Sequence, residues 1–298
     1  MKNNLPNFII IGAMKAATTS LYTYLKQHPD IFMPKVKETK FFNNFRKDKN
    51  FKLQGKGLKK ISTFKQYHSL FKEVKNETAI GEASPSYIFD ENCAKLISQH
   101  LPETRIIAIL RQPVSRAYSN FLHAKRADSE PERSFVEAFE ADNKRIVDNN
   151  NPAHYYKAKG CYYNQLKRYY NLFDKKQIKI ILFEDIINNP TQTTQGIYNF
   201  LGVANSIVPD TSRKTNVSGK PKGILGWMLM KLRHYNLLPN IQLSKYLPQF
   251  VMRLLFNAVY EKPERLDEQL KKDLTTKHFK SDILKLEKLI EKDLSHWL

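Results

Sequence analysis

The stretch FIIIGAMKAATTSLYTYLKQHPD, Phe8 to Asp30, constrains this chain more than any other. Four apolar residues run into Gly12, small and hydroxyl-bearing residues surround Lys15, and an amphipathic run begins at Leu21. A short apolar run ended by glycine reads as a buried strand, and the amphipathic run as a helix. Strand, tight loop and helix in this order make a phosphate-binding turn, because backbone N–H groups and the helix dipole attract phosphate oxygens at a helix start. The loop departs from the ordinary nucleotide-triphosphate motif, which places lysine immediately before a hydroxyl residue. Here Lys15 comes three residues before Thr18, and Ala17 occupies the place of a glycine.

Further apolar runs lie at Ala79–Ile80 before Gly81, at Ile106–Leu110 and at Ile178–Phe183. Helical patterns alternate with them at Leu21–Gln27, Cys93–Leu101, Val114–Lys125, Phe135–Val147, Tyr163–Phe173 and Gln192–Leu201. Buried strands alternating with amphipathic helices predict a parallel sheet covered on both faces. Ligands of such sheets sit beyond the carboxyl ends of the strands, where Gly12–Ser20, Arg111 and Glu184 fall. With no internal repeat and no long linker, residues 1–298 read as one domain, the C-terminal helical segment 223–298 packed on it. Residues 43–77 read as a lysine-rich surface excursion and 204–222 as a loop. Apolar stretches within 223–260 read as core or lid helices, with a membrane-surface face as the alternative. The tail reads as an amphipathic helix capped by Ser281 and Asp282.

The formal net charge of +20 predicts anionic partners. Half of the excess lies in residues 1–60, which hold 13 Lys/Arg against 3 Asp/Glu. Two cysteines, Cys93 and Cys161, with no Cys-x-x-Cys pattern, argue against a disulfide framework and a zinc site and suit a reducing compartment. The apolar run after Phe8 is too short for a signal peptide, so the expected location is cytoplasmic, at the inner membrane surface if segment 223–260 meets lipid.

Several motifs together resemble the sulfotransferases that use 3′-phosphoadenosine 5′-phosphosulfate (PAPS), and are most similar to the bacterial and Golgi-type carbohydrate branch. IIIGAMKAATTSLYTYLKQHP resembles the 5′-phosphosulfate loop of that family, and IIAILRQPVSRAYSNFLH its 3′-phosphate-binding strand and helix, which Arg111 and Ser119 fit. PKVKETKFF, GEASPSYIF, GCYYNQLKRYY, ILFEDIINNPTQTTQGIYNFLGV and SGKPK follow in the family's order, so the resemblance spans residues 7 to 298. The fold it implies is α/β, a P-loop-like three-layer sandwich with a central parallel sheet flanked by helices. The activity it implies is transfer of a sulfuryl group from PAPS, with no metal required, to an acceptor hydroxyl on a glycan, glycolipid or small metabolite. Nucleic acid is not among the expected partners, and a membrane surface would be met peripherally.

The residues suit that chemistry. Negative charge builds on the leaving phosphate as the sulfur–oxygen bond breaks, so a cation near the bridging oxygen is needed. Lys15 supplies it, and Ala16, Ala17, Thr18, Thr19 and Ser20 supply backbone and hydroxyl donors. A guanidinium at a strand end, Arg111, suits the 3′-phosphate, and Ser119, two helical turns on, would add a hydroxyl. The acceptor must lose a proton. Glu38 is the only acid in residues 31–47 and fits the glutamate that acts as base in the family's E-x-x-F-F segment. His123, one turn after Ser119, is the alternative base. The late loop RKTNVSGKPK implies donor contacts from Lys214, Gly219 and Lys220, and Tyr162 either lines the nucleotide or packs in the core. Family members often carry lysine where this chain has Ala83, which leaves that cationic contact to Lys37 or Lys40. Two other classes fit parts of the pattern: a P-loop small-molecule kinase, opposed by the position of Lys15, and a non-enzymatic polyanion-binding protein, motivated by net charge alone.

Overall fold

The computed structural model describes residues 4–45, 61–212, 220–223, 228, 260–261 and 264–298. They fall into two compact units: residues 1–112, 161–215 and 281–297 form the first, and 113–160, 216–280 and 298 the second.

The first unit is built on β1 (Phe8–Gly12), β2 (Ile31–Phe32), β3 (Ala79–Ala83), β4 (Arg105–Leu110) and β5 (Ile178–Leu182). They form one sheet in the order β2-β3-β1-β4-β5, with every pairing parallel. All five residues of β1 and all five of β3 are buried, as a sheet covered on both faces requires. Each buried isoleucine or leucine of these strands contributes about 2 kcal/mol relative to exposure. Phe8 pairs with Gly81 across the β1–β3 ladder. A Cβ at Gly81 would lie 2.0 Å from the Phe8 ring, so glycine here lets the aromatic ring cross the neighbouring strand.

Helices α1 (Thr18–Leu25), α2 (Phe41–Asn44), α3 (Phe64–Ser69) and α4 (Cys93–His100) belong to this unit. The second unit opens with α5 (Pro113–Arg126), α6 (Phe135–Glu140) and α7 (Asp142–Val147); α8 (Tyr162–Tyr170), α9 (Phe183–Asn188) and α10 (Pro190–Leu201) return to the first. The expected helix 135–147 is thus divided at Ala141, while one segment expected to be surface enters the core and one unexpected strand is present. Residues 61–77 are not a surface excursion: Tyr67 and Phe71 are fully buried, and Tyr67 stacks on Phe41 with ring centroids 4.2 Å apart. Aromatic spacing too short to show a period concealed this core segment. The strand β2, two residues long, went unread for the same reason.

The second unit also holds the antiparallel pair β6 (Lys220–Pro221) and β7 (Tyr260–Glu261) and helix α11 (Glu268–His278). Its core is partly polar. Arg116 is fully buried and donates to the Tyr156 carbonyl at 2.5 Å, while Glu130 accepts from Arg145 at 2.6 Å. The segment 223–260, read as lid or membrane-facing helices, lies almost wholly outside the described residues. No helix among the described residues is long and apolar enough to cross a membrane.

The tail forms α12 (Lys280–Ile290). Ser281 and Asp282 lie inside it rather than capping it. Asp282 instead accepts the Tyr163 backbone N–H at 3.2 Å, serving the first turn of α8, whose own N-cap residue does not cap it through its side chain. Burial raises the Asp282 carboxyl from 3.8 to about 6, against the pull of these N–H bonds. The folded state therefore holds the extra proton between those two values, and stability falls as pH rises through that window. The Asp282→Asn variant lacks this titration, and its melting temperature should vary less than the wild type's between about pH 4 and about pH 6.5, removing a slope of roughly 2–3 kcal/mol. Equal slopes in thermal melts of the two proteins would contradict this role.

Candidate active site

The carboxyl end of β1 runs directly into the loop that the sequence singles out. Ala13 donates to the Ile109 carbonyl of β4 at 2.7 Å, which anchors the loop start in the sheet. The turn after β3 lies close against Gly12. A Cβ there would fall 2.4 Å from the Ile88 side chain and 3.1 Å from the Pro85 carbonyl oxygen, so only glycine fits without displacement.

Lys15 has φ of 68° and Ala17 φ of 62°, both left-handed, and Ala16 between them does not share that conformation. Alternating handedness of this kind bends the backbone into a concavity, the arrangement that receives anions, with the Ala16 N–H itself given to the Ala13 carbonyl at 3.2 Å. Helix α1 then starts at Thr18 with no side-chain cap bond from Ala17. Its first N–H groups and its dipole point from the same loop. Ala16 and Thr18 are buried, while Lys15, Ala17, Thr19 and Ser20 are half-buried.

Arg111 follows β4 and joins this loop. Its Nη1 donates to the Lys15 carbonyl at 3.1 Å, and its guanidinium lies 4.3 Å from the Phe183 ring centroid at the start of α9. The Tyr162 hydroxyl donates to the Arg111 carbonyl at 2.9 Å. Tyr162 is fully buried, so the core reading of this residue describes it, and its bond fixes the backbone from which Arg111 projects. Phe183 escaped notice in the sequence because it closes an apolar run and looks like its last core residue. Glu184 falls just beyond the carboxyl end of β5, in the first turn of α9 beside Asp185.

Glu38 stands on the loop after β2. Its N–H donates to the Ala83 carbonyl at the end of β3, at 3.0 Å. Its carboxylate lies 3.0 Å from Lys37 Nζ and 3.9 Å from Lys40 Nζ. Both lysines that could replace a cation at position 83 are therefore beside the candidate base. Lys35 is drawn instead to Glu73 at 2.7 Å. Beneath the Glu38 loop lies a group missed by sequence reasoning, the fully buried Glu82 of β3, bonded to the hydroxyls of Thr39, Tyr67 and Ser84. Burial raises its carboxyl above the ordinary range, and those hydroxyls pull the other way. An acid inside the apolar run AIGEA was the available signal.

The remaining candidates belong to the second unit or lie outside the described residues. Ser119 is half-buried on α5, and Arg111 precedes that helix, so a count of helical turns between the two does not apply. His123 is exposed on α5, with Nδ1 3.0 Å from Arg126 Nη2. The backbone of Lys220 belongs to β6, and Lys214 and Gly219 lie outside the described residues.

Comparison with known proteins gives this geometry a family. The profile of the sulfotransferase family matches residues 6–206. A sulfotransferase of known crystal structure from Alicyclobacillus acidocaldarius is 33% identical, with a TM-score of 0.74 and 98% of each chain covered. The membrane-associated sulfotransferase kil1 of Dictyostelium discoideum is 38% identical over 118 residues, 39% of this chain and 22% of that protein. Carbohydrate sulfotransferase 15 of Homo sapiens is 26% identical over 256 residues, covering 67% of this chain and 44% of that protein. The chain thus spans less than half the length of these two relatives. With the family profile over two thirds of its length, and a relative of known structure alike from end to end, the chain belongs to the sulfotransferase family.

Proposed function

We propose that this protein transfers a sulfuryl group from PAPS to a hydroxyl of a carbohydrate or glycolipid, releasing adenosine 3′,5′-bisphosphate. The observation that carries the proposal is the loop Gly12–Ser20, with left-handed Lys15 and Ala17 leading into a helix start without a side-chain cap. Such a turn offers N–H donors to a 5′-phosphosulfate, and Lys15 brings a cation to the same place. Arg111, braced by Phe183 and by the Tyr162–Arg111 bond, supplies a guanidinium at the neighbouring strand end for the 3′-phosphate. The names of relatives such as carbohydrate sulfotransferase 15 support the acceptor class. The reaction is assigned to the cytoplasm on the cysteine usage.

In this reading the acceptor oxygen attacks sulfur as its proton passes to the Glu38 carboxylate. An oxygen–sulfur bond forms, and the bond from sulfur to the bridging oxygen breaks. The electron pair stays on the leaving phosphate, where the Lys15 ammonium stabilises it. Lys37 and Lys40 hold Glu38 in place from two sides.

The direct test is transfer of radiolabelled sulfate from PAPS to p-nitrophenyl β-glycosides, de-sulfated heparin and glycolipids. Labelled product from at least one is expected, and a complete absence of both transfer and PAPS turnover would overturn the proposal. The Glu38→Gln variant should lose about 10²- to 10⁴-fold in kcat while its Kd for adenosine 3′,5′-bisphosphate stays within about twofold. Normal turnover there would move the base elsewhere. Lys15→Ala should weaken that Kd and slow transfer together, since the ammonium serves both states; unchanged kinetics would remove it from the site.

A further inference from the structure

Glu82 is the largest anomaly of the first unit. It is fully buried in β3, among Ala79, Ile80, Gly81 and Ala83. Burying a carboxyl costs free energy that an apolar residue at the same place would not incur. Hydroxyls surround it: Thr39 at 2.5 Å and Ser84 at 3.3 Å on Oε2, Tyr67 at 3.1 Å on Oε1, and the buried Tyr87, which also lies 3.2 Å from Thr39 Oγ1.

Two of those hydroxyls lead straight to the Glu38 loop. Ser84 Oγ accepts the Lys40 N–H at 3.0 Å, and Thr39 Oγ1 accepts the Phe41 N–H at 3.3 Å. Thr39 itself is buried between Glu38 and Lys40, which have left-handed φ values of 60° and 51°. Neither is glycine, and such conformations persist only where the surroundings enforce them. Direction matters in this network. A carboxylate accepts only, so it makes both hydroxyls donate inward and leaves their lone pairs for the loop N–H groups. An amide in its place keeps an acceptor on one side only, so either the Tyr67 bond or the Thr39 and Ser84 bonds must reverse.

We propose that Glu82 is a positioning residue for the candidate base: through Thr39 and Ser84 it sets the left-handed backbone on which Glu38 stands. This rests on Glu38 being the base, and it adds the device that holds the base still. A misplacement of about 1 Å in a reacting group can cost ~10²-fold in rate. Glu82 would therefore act on turnover through Thr39 and Ser84, without touching donor or acceptor.

The test compares Thr39→Val, Thr39→Ser and Glu82→Gln with wild type in the full chain. Turnover is read as release of adenosine 3′,5′-bisphosphate from PAPS, with water and with p-nitrophenyl β-glycosides as acceptors. Thr39→Val and Glu82→Gln should lose about 10- to 100-fold in kcat, with the Kd for adenosine 3′,5′-bisphosphate within about twofold. Amide hydrogen exchange at residues 38–42 should quicken in both, while the Gly12–Ser20 loop stays protected. Thr39→Ser, which keeps the hydroxyl, should restore kcat to within about threefold and restore protection. If Glu82→Gln does not fold, the Thr39 pair decides alone. Full turnover and full protection in Thr39→Val would overturn the proposal, as would a Thr39→Ser variant as impaired as Thr39→Val. Glu38→Gln run alongside keeps the two ideas apart: normal turnover there removes the base assignment, whereas an inactive Glu38→Gln beside a fully active Thr39→Val removes only the positioning role.

Discussion

β1 pairs with β3 along one edge and with β4 along the other, and that double pairing decides where the polar parts of the site lie. Because all five strands run parallel, their carboxyl ends share one edge of the sheet. The Lys15 loop leaves β1 there, Arg111 leaves β4, the Glu38 loop follows β2, and Phe183 follows β5. The chain turns from β1 toward β2 and β3 on one side, while β4 and β5 lie on the other, which opens the crevice where such folds bind ligands. The pairing in turn depends on small residues. Gly81 admits the Phe8 ring into the ladder, and Gly12 admits the turn after β3 against the end of β1.

The polar groups buried around this edge share a task. Arg111 holds the Lys15 carbonyl, the Tyr162 hydroxyl holds the Arg111 carbonyl, and Glu82 orients hydroxyls that hold the Glu38 loop. Each spends a buried or half-buried polar side chain on a stretch of backbone that regular structure does not satisfy. An apolar residue would pack at lower cost and leave that backbone without direction. Such groups concentrate where the chain has left-handed residues, at 15, 17, 38 and 40. Precision at a transfer site is gained at the expense of packing energy.

How much of this was legible in the sequence follows from the range of each interaction. Strands β1, β4 and β5 and most helices carry their own period or apolar run, so local pattern alone recovers them. The Lys15 loop was legible because its residues are contiguous, and Arg111 because it ends an apolar run with a charge. What failed to show depends on partners distant in sequence. Tyr67 and Phe71 enter the core by meeting Phe41 and Phe32, and no period within 61–77 announces that. Asp282 looks like a local cap, yet serves a helix 119 residues earlier in the chain. Glu82 and Thr39 are 43 residues apart, so the bond that links them leaves no local trace beyond an acid in an apolar strand.

In the proposed reaction the β1 loop and Arg111 bind the two anionic ends of PAPS. Isothermal titration of adenosine 3′,5′-bisphosphate into the wild-type chain, in buffer containing a magnesium chelator, tests it most directly. Saturable one-to-one binding is expected, abolished or strongly weakened by Arg111→Ala and weakened by Lys15→Ala. Indifference to adenosine 3′,5′-bisphosphate, together with tight binding of ATP that requires magnesium, would contradict it.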